Sequence, residues 1–294
     1  MLYQLSYTPA VRWRPLVQCP PAMQGPIACG GKGRAPGGNL SLAAGGLQVQ
    51  LVPMRPTAPP PAGAPIPAEL LLAAYRQGIF PMADARGDED VFWVEPRERA
   101  IIPLGGFALS RSLARTLRRE RFRVTCDTAF GAVVRGCAAP RDDGAGTWIS
   151  HRIEASYAQL HASGHAHSIE CWSQEKGGSE LVGGVYGVAF DRVFCGESMF
   201  SRRTDASKVA LAWLVGLLHR GGYRLFDCQF MTDHLASLGA KPISQATYLE
   251  RVAQAQGDPA RTLPESYASL SSEAAGDPSS SPGKLIAQSL TQTS

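Results

Sequence analysis

Three polar side chains sit within apolar stretches where an unpaired charge or amide would be costly, and each therefore needs a reason to be there. Asp227 and Gln229 are two residues apart at the end of the short run from Tyr223 to Cys228. On a strand, that spacing sets both side chains on one face. A carboxylate is a group for acid–base work, although Asp227 could equally cap a neighbouring turn. Glu197 lies inside the run Val193 to Phe200, where a carboxylate calls for a buried cation or for a ligand.

Arg111, Arg115 and Arg118 fall in one narrow stripe of a helical wheel, opposite Leu113, Ala114 and Leu117. Such a stripe is either a solvated face or a ridge for phosphates, which guanidinium groups bind bidentately. His161 and His165 have the i, i+4 spacing of a zinc clamp, but residues 162–164 are Ala-Ser-Gly and lack the glutamate of a zinc protease. No metal site is expected. Cys171 and Cys195 lack an activating neighbour and read as buried thiols.

The elements that must position these groups follow from periodicity and caps. Pro67-Ala68-Glu69 opens a helix carrying Leu71, Leu72 and Tyr75, with Gly78 to end it. Phe92-Trp93-Val94 reads as a strand. Ser110 caps a helix through about Arg119. Leu181–Phe190 and Val193–Phe200 form a hairpin about Asp191-Arg192. A helix over 206–220 closes at Gly221-Gly222, a buried strand follows, one helix runs from Asp233 to Gly239, and another spans Ser244 to Ala255. Hairpin, helix, strand, helix is the order of the acetyltransferase superfamily GNAT, a likeness of fold alone. In that superfamily a Gly-rich loop after the hairpin cradles the pyrophosphate of coenzyme A. Here the corresponding stretch, Ser201 to Lys208, contains no glycine, and Asp205 stands at the helix start. A different acyl donor is implied.

Several blocks in one order are similar to the leucyl/phenylalanyl-tRNA–protein transferase family. They are Gly78-Ile79-Phe80-Pro81-Met82, Pro96-Arg97, Thr147-Trp148-Ile149, His167 to Trp172, Gly183-Gly184-Val185-Tyr186-Gly187, Gly196-Glu197-Ser198-Met199-Phe200-Ser201 with Ala206-Ser207-Lys208, and Asp227-Cys228-Gln229 with His234 to Ala240. The resemblance covers about residues 66–245. It implies an α+β enzyme with a small N-terminal α/β domain and a C-terminal GNAT-like acyltransferase domain. Such an enzyme moves Leu, Phe or, less well, Met from aminoacyl-tRNA to the N-terminal Arg or Lys of acceptor proteins, marking them for degradation. The resemblance makes Asp227 the group that draws the proton from the amine or holds it, and Gln229 its partner at the ester. Glu197 would contact the aminoacyl group or the basic acceptor, in a pocket with Val185, Phe194 and Met199. Trp93, Trp148 and Tyr157 would hold the 3′ adenosine of the tRNA, and the Arg111 stripe its phosphates. The chain departs from some relatives at Val185, where they carry Met, and at Thr232, where they carry Asn. The resemblance calls for no cofactor and suggests a monomer. The other readings are a coenzyme-A-dependent N-acetyltransferase and a non-catalytic tRNA-binding module.

Composition bounds the rest. The chain has 294 residues, 44% hydrophobic, and a net charge of +4. Residues 1–68 hold five basic residues and no acidic one, so the charge is local and sets up no global field. No apolar run suits a membrane span, and the scattered cysteines fit a reducing compartment, so a cytoplasmic enzyme without membrane contact is expected. Residues 1–65, rich in Pro, Gly and Ala, read as disordered or as an over-extended start, with translation beginning at Met54. Residues 66–125 are taken as the small domain, 126–256 as the catalytic domain and 257–294 as a disordered tail.

Overall fold

The computed structural model describes residues 63–140, 146–175 and 178–291. The expectations for residues 1–65 and for Met54 lie outside these, apart from residues 63–65.

The hairpin is the centre of the molecule. β6 (Gly178–Phe190) and β7 (Val193–Ser201) pair antiparallel about the predicted turn, where Asp191 takes φ 49°. β5 (Ala166–Glu175) extends the sheet beyond β6, and β4 (Arg123–Cys126) beyond β5. On the far side of β7 lies β8 (Leu225–Gln229), reached through the crossover helix α5 (Ala206–Gly221) and therefore parallel to β7. β3 (Glu98–Ile101) pairs antiparallel with β8, and β9 (Lys241–Ser244) with β3, completing a seven-stranded sheet. The parallel pairing joins Val193 to Leu225, Phe194 to Phe226 and Cys195 to Asp227, and then the strands part. β7 runs on to Ser201 and β8 to Gln229, so a gap opens in the sheet from Glu197 and Gln229 onward.

Helices cover both faces. On one face, α5 is buried almost all round and ends where Gly222 adopts φ 77°, a conformation that glycine takes at little cost. It packs with α2 (Arg111–Arg118) and α6 (Asp233–Ser237) over a cluster that includes Val185, Phe194, Met199 and Phe226. On the other face, α1 (Ala68–Arg76), α3 (Phe130–Ala138), α4 (His151–Ala162) and α7 (Gln245–Gln254) enclose a second cluster with Tyr75, Tyr157, Tyr186, Cys195 and Tyr248. A two-stranded sheet, β1 (Phe80–Met82) with β2 (Phe92–Val94), belongs to this side. The α3 backbone approaches β7 closely: a Cβ at Gly136 would lie 2.7 Å from the Phe200 ring. The result is an α+β architecture with the expected hairpin–helix–strand–helix order at its core.

Two expectations about domains do not hold. Residues 257–291 are not a loose tail: α8 (Leu263–Gly276) and α9 (Pro282–Thr291) pack on α5, with Leu263, Leu270 and Ile286 fully buried. Thr262 and Glu265 form a reciprocal capping box, and Leu263, Tyr267, Leu270 and Ala274 recur at helical spacing. That periodicity outweighs a Ser- and Gly-rich composition, since each buried leucine contributes ~1.5–3 kcal/mol. Nor does the small N-terminal domain extend to residue 125. β3 lies within the seven-stranded sheet between β8 and β9, and α2 packs against α5 and α9.

Candidate active site

The three polar groups singled out in the sequence meet where β7 and β8 part. In the register of β6 with β7, Tyr186 pairs with Ser198 and Gly187 with Gly196, leaving Glu197 as the extra residue of a β-bulge. The bulge switches the phase of the strand. Cys195 and Phe200 both belong to the cluster on the α1–α4 side, five residues apart, where strict alternation would set them on opposite faces. Glu197 is thereby turned onto that side, where Gln229 of β8 reaches it.

Among the described residues, no cation contacts Glu197. Tyr75 Oη, on α1, lies 2.8 Å from Glu197 Oε1, and Tyr157 Oη, on α4, lies 2.8 Å from Oε2. The two hydroxyls are 2.7 Å from each other. Gln229 Nε2 donates to Glu197 Oε1 at 2.9 Å, bridging the gap between β7 and β8. Glu197 is 1% exposed. Burial pushes its carboxyl up from 4.5 to about 7, against the hydrogen bonds from Tyr75, Tyr157 and Gln229 that pull it down; the nearby Asp227 adds to the rise. Burial, and next the Glu197 charge, hold both tyrosine hydroxyls well above their ordinary value.

Asp227 has a different neighbour. Arg99, on β3, binds both of its oxygens, with Nε 3.3 Å from Oδ1 and Nη2 on Oδ2. The guanidinium also donates to the Gly78 carbonyl at 3.1 Å and lies over the Tyr248 ring, 4.3 Å from its centroid. Burial opposes its charge, but Asp227, Tyr248 and Cys195 together more than offset that and raise the Arg99 pKa. Asp227 Oδ1 accepts a further hydrogen bond from the Gln229 backbone N–H at 2.8 Å. This bond supports Gln229 at φ 62°, a left-handed conformation that a non-glycine residue adopts at a cost. Both readings of Asp227 thus meet in one group, since it closes a turn and sits in the polar cluster. Its oxygens are committed to Arg99 and Gln229, so it is not placed to draw a proton from an amine.

The other predicted site residues fall in different places. Val185, Phe194 and Met199 are buried on the α5 side, across the sheet from the partners of Glu197. Trp93 is 36% exposed on β2, opposite Pro81. Trp148 is half-buried, and its carbonyl accepts from the Ala83 N–H just beyond β1 at 3.2 Å. Tyr157 cannot stack on an adenosine as expected: it is 1% exposed, with its hydroxyl on Glu197 and its ring against Tyr186. Arg111, Arg115 and Arg118 are exposed along α2, and with Arg119 and Thr291 they line a groove of about 490 Å³. His161 bonds the Ala166 carbonyl through Nδ1 and stacks on Phe130, which accounts for it as a packing residue. Cys171 and Cys195 are buried, and burial pushes both thiols up.

The sequence reading missed Arg99, Tyr248 and the role of Tyr75. Tyr75 was legible only as a core residue of α1. Arg99 had one signal, a charge immediately before the apolar Ala100-Ile101-Ile102.

The α+β fold and this buried polar cluster fit a transferase, and comparison with known proteins gives the family. Residues 65–97 match the model of the leucyl/phenylalanyl-tRNA protein transferase N-terminal domain, and residues 101–253 match that of leucyl/phenylalanyl-tRNA protein transferase. A leucyl/phenylalanyl-tRNA–protein transferase of Novosphingobium aromaticivorans is 56% identical over 261 residues, covering 78% of this chain and 97% of the relative. One from Ruegeria pomeroyi is 53% identical over 204 residues, covering 68% of this chain and 93% of the relative. A solved structure described as L-PGS from Bacillus licheniformis matches 57% of this chain at a TM-score of 0.31 and 14% identity, too slight a likeness to bear on the chemistry. The chain belongs to the leucyl/phenylalanyl-tRNA–protein transferase family. It is an aminoacyltransferase, and its donor is an aminoacyl-tRNA. Among the described residues, no helix is long and apolar enough to cross a membrane.

Proposed function

We propose that this enzyme moves leucine, phenylalanine or, less well, methionine from aminoacyl-tRNA to acceptor proteins whose N-terminus is Arg or Lys, marking them for degradation in the cytoplasm, and that it works as a monomer. The observation that carries this reading is the Glu197–Gln229 bridge across the opening between β7 and β8, with Asp227 fixed behind it. An aminoacyl ester is already activated, so the protein need only orient the α-amine, manage its proton and favour the tetrahedral oxyanion. Gln229 positions the ester. Asp227, neutralised by Arg99, acts through Gln229 by holding its strained backbone. The leucyl or phenylalanyl side chain is assigned to the apolar cluster of Val185, Phe194 and Met199.

Trp93 and Trp148 are assigned to the terminal adenosine, since stacking on such rings contributes ~1–3 kcal/mol per base. The Arg111, Arg115 and Arg118 stripe is assigned to acceptor-stem phosphates. The start of α5 supports a donor other than coenzyme A. There the Ser201 hydroxyl accepts the Ser207 N–H at 3.2 Å, so that amide is already satisfied by the protein.

The test combines purified protein, radiolabelled Leu-tRNA and a peptide with N-terminal Arg, without coenzyme A. Label should pass to this peptide and not to one with N-terminal Asp. No transfer, or transfer that requires acetyl-coenzyme A, would overturn the reading; tRNA binding without transfer would select a binding module. Asp227→Ala should lose most of the transfer rate while keeping tRNA affinity. Arg115→Ala should weaken tRNA binding to all donors alike and reduce the dependence on salt.

A further inference from the structure

Tyr75, Tyr157 and Glu197 make three short oxygen–oxygen contacts, at 2.7, 2.8 and 2.8 Å. Each is a hydrogen bond only if a proton lies in it. The two tyrosines supply two protons. A third is present only when Glu197 is a carboxylic acid; with Glu197 ionised, both hydroxyls turn to the carboxylate and their own 2.7 Å contact holds no proton. All three groups are 1% exposed, so no contact is dispensable to solvent. The other titratable groups facing the ring are Tyr186 on β6, Cys195 on β7, Cys137 on α3, Tyr248 on α7, and the neutralised pair Asp227 and Arg99 on β8 and β3. Among the described residues, Glu197 has no cation in contact.

We propose that Glu197 is the proton carrier of the transfer step and that Tyr75 and Tyr157 are positioning residues that tune it, each donating to the carboxylate while it waits for a proton. This rests on the reading that transfer runs at Glu197 and Gln229. The acceptor α-amine attacks the ester carbonyl carbon and a C–N bond forms. The amine proton passes to Glu197, closing the three-proton ring. As the tetrahedral intermediate collapses, the C–O bond to the ribose breaks and Glu197 returns the proton to the departing ribose oxygen. Glu197 ends as it began, and no further reactant is needed. The tyrosine on α1 comes from the segment before the transferase sheet, so this segment acts directly on the chemistry.

The experiment is the pH dependence of kcat/KM for Leu-tRNA and an N-terminal Arg peptide, in wild type, Tyr75→Phe, Tyr157→Phe and Glu197→Gln. The acceptor amine titrates alike in every case, so the differences between variants report the protein. Beyond the amine's own titration, wild type should show a second limb near neutrality that rises with pH, and Glu197→Gln should show the amine limb alone and be slow throughout. Both tyrosine hydrogen bonds favour the ionised form, so each Tyr→Phe change should move the limb up by about one pH unit. The variants would then be about fivefold slow at the wild-type midpoint, and about tenfold slow well below it, and recover at higher pH. Equal slowing of the Tyr→Phe variants at every pH, or a Glu197→Gln profile of the same shape as wild type, would overturn the proposal and leave the assigned function standing. Absence of transfer by wild type would instead overturn the function.

Discussion

Glu197 and Asp227 are buried carboxylates on adjoining strands of one sheet, and they have opposite surroundings. Asp227 is clamped by Arg99 in a buried ion pair. Glu197 has two tyrosines and an amide, with its proton held up to about 7. The contrast separates two tasks that the sequence presents in identical chemical form. One carboxylate builds the site, tying Arg99 to the Gln229 backbone; the other can exchange a proton near neutrality.

The contrast can be broken most severely at Arg99. Arg99→Met leaves Asp227 buried without its cation, and a loss of about 3–5 kcal/mol is expected in urea unfolding at pH 7. The next effect reads on Glu197 and has the opposite sign. Its folded pKa stands above the unfolded value, so below pH 4.5 the residue costs nothing. As pH rises from 4.5 toward 7 the folded state loses stability, because only the unfolded chain ionises freely there, and the loss is complete above about 7. The shift from 4.5 to about 7 corresponds to a loss on the order of 3 kcal/mol. Glu197→Gln should therefore flatten stability between pH 5 and 8, remaining folded while transfer fails. The smallest effect is at Tyr157→Phe, which removes hydrogen bonds without a charge and should lower stability by about 1–2 kcal/mol at pH 6.

The parts of the fold written in local patterns were legible. Ser110 caps α2 by accepting the Leu113 N–H at 3.2 Å, the hairpin turns at Asp191, and the crossover helix ends at Gly222, each as its residues predict. The candidate site was legible as three residues and not as an arrangement. A one-residue bulge at Glu197 has no signature within a continuous apolar strand, so neither its facing nor its separation from the pocket of Val185, Phe194 and Met199 could be read. Arg99 and Asp227 are 128 residues apart, and nothing local to Glu98-Arg99 says that one charge is exposed and the next buried. Tyr157 looked like an aromatic platform because a ring does not announce which way its hydroxyl is turned. The helices at 263–291 were hidden by composition, although Thr262 and Glu265 had the spacing of a capping box.

The central claim is that Glu197 exchanges a proton near neutral pH. Difference infrared spectroscopy of the carboxyl C=O stretch tests it directly, on wild type against Glu197→Gln and Asp227→Asn. The account predicts a protonated-carboxyl band at pH 6 that fades as pH rises through about 7. That band should vanish in Glu197→Gln and persist in Asp227→Asn. No such band at pH 6, or one that vanishes with Asp227→Asn instead, would contradict it.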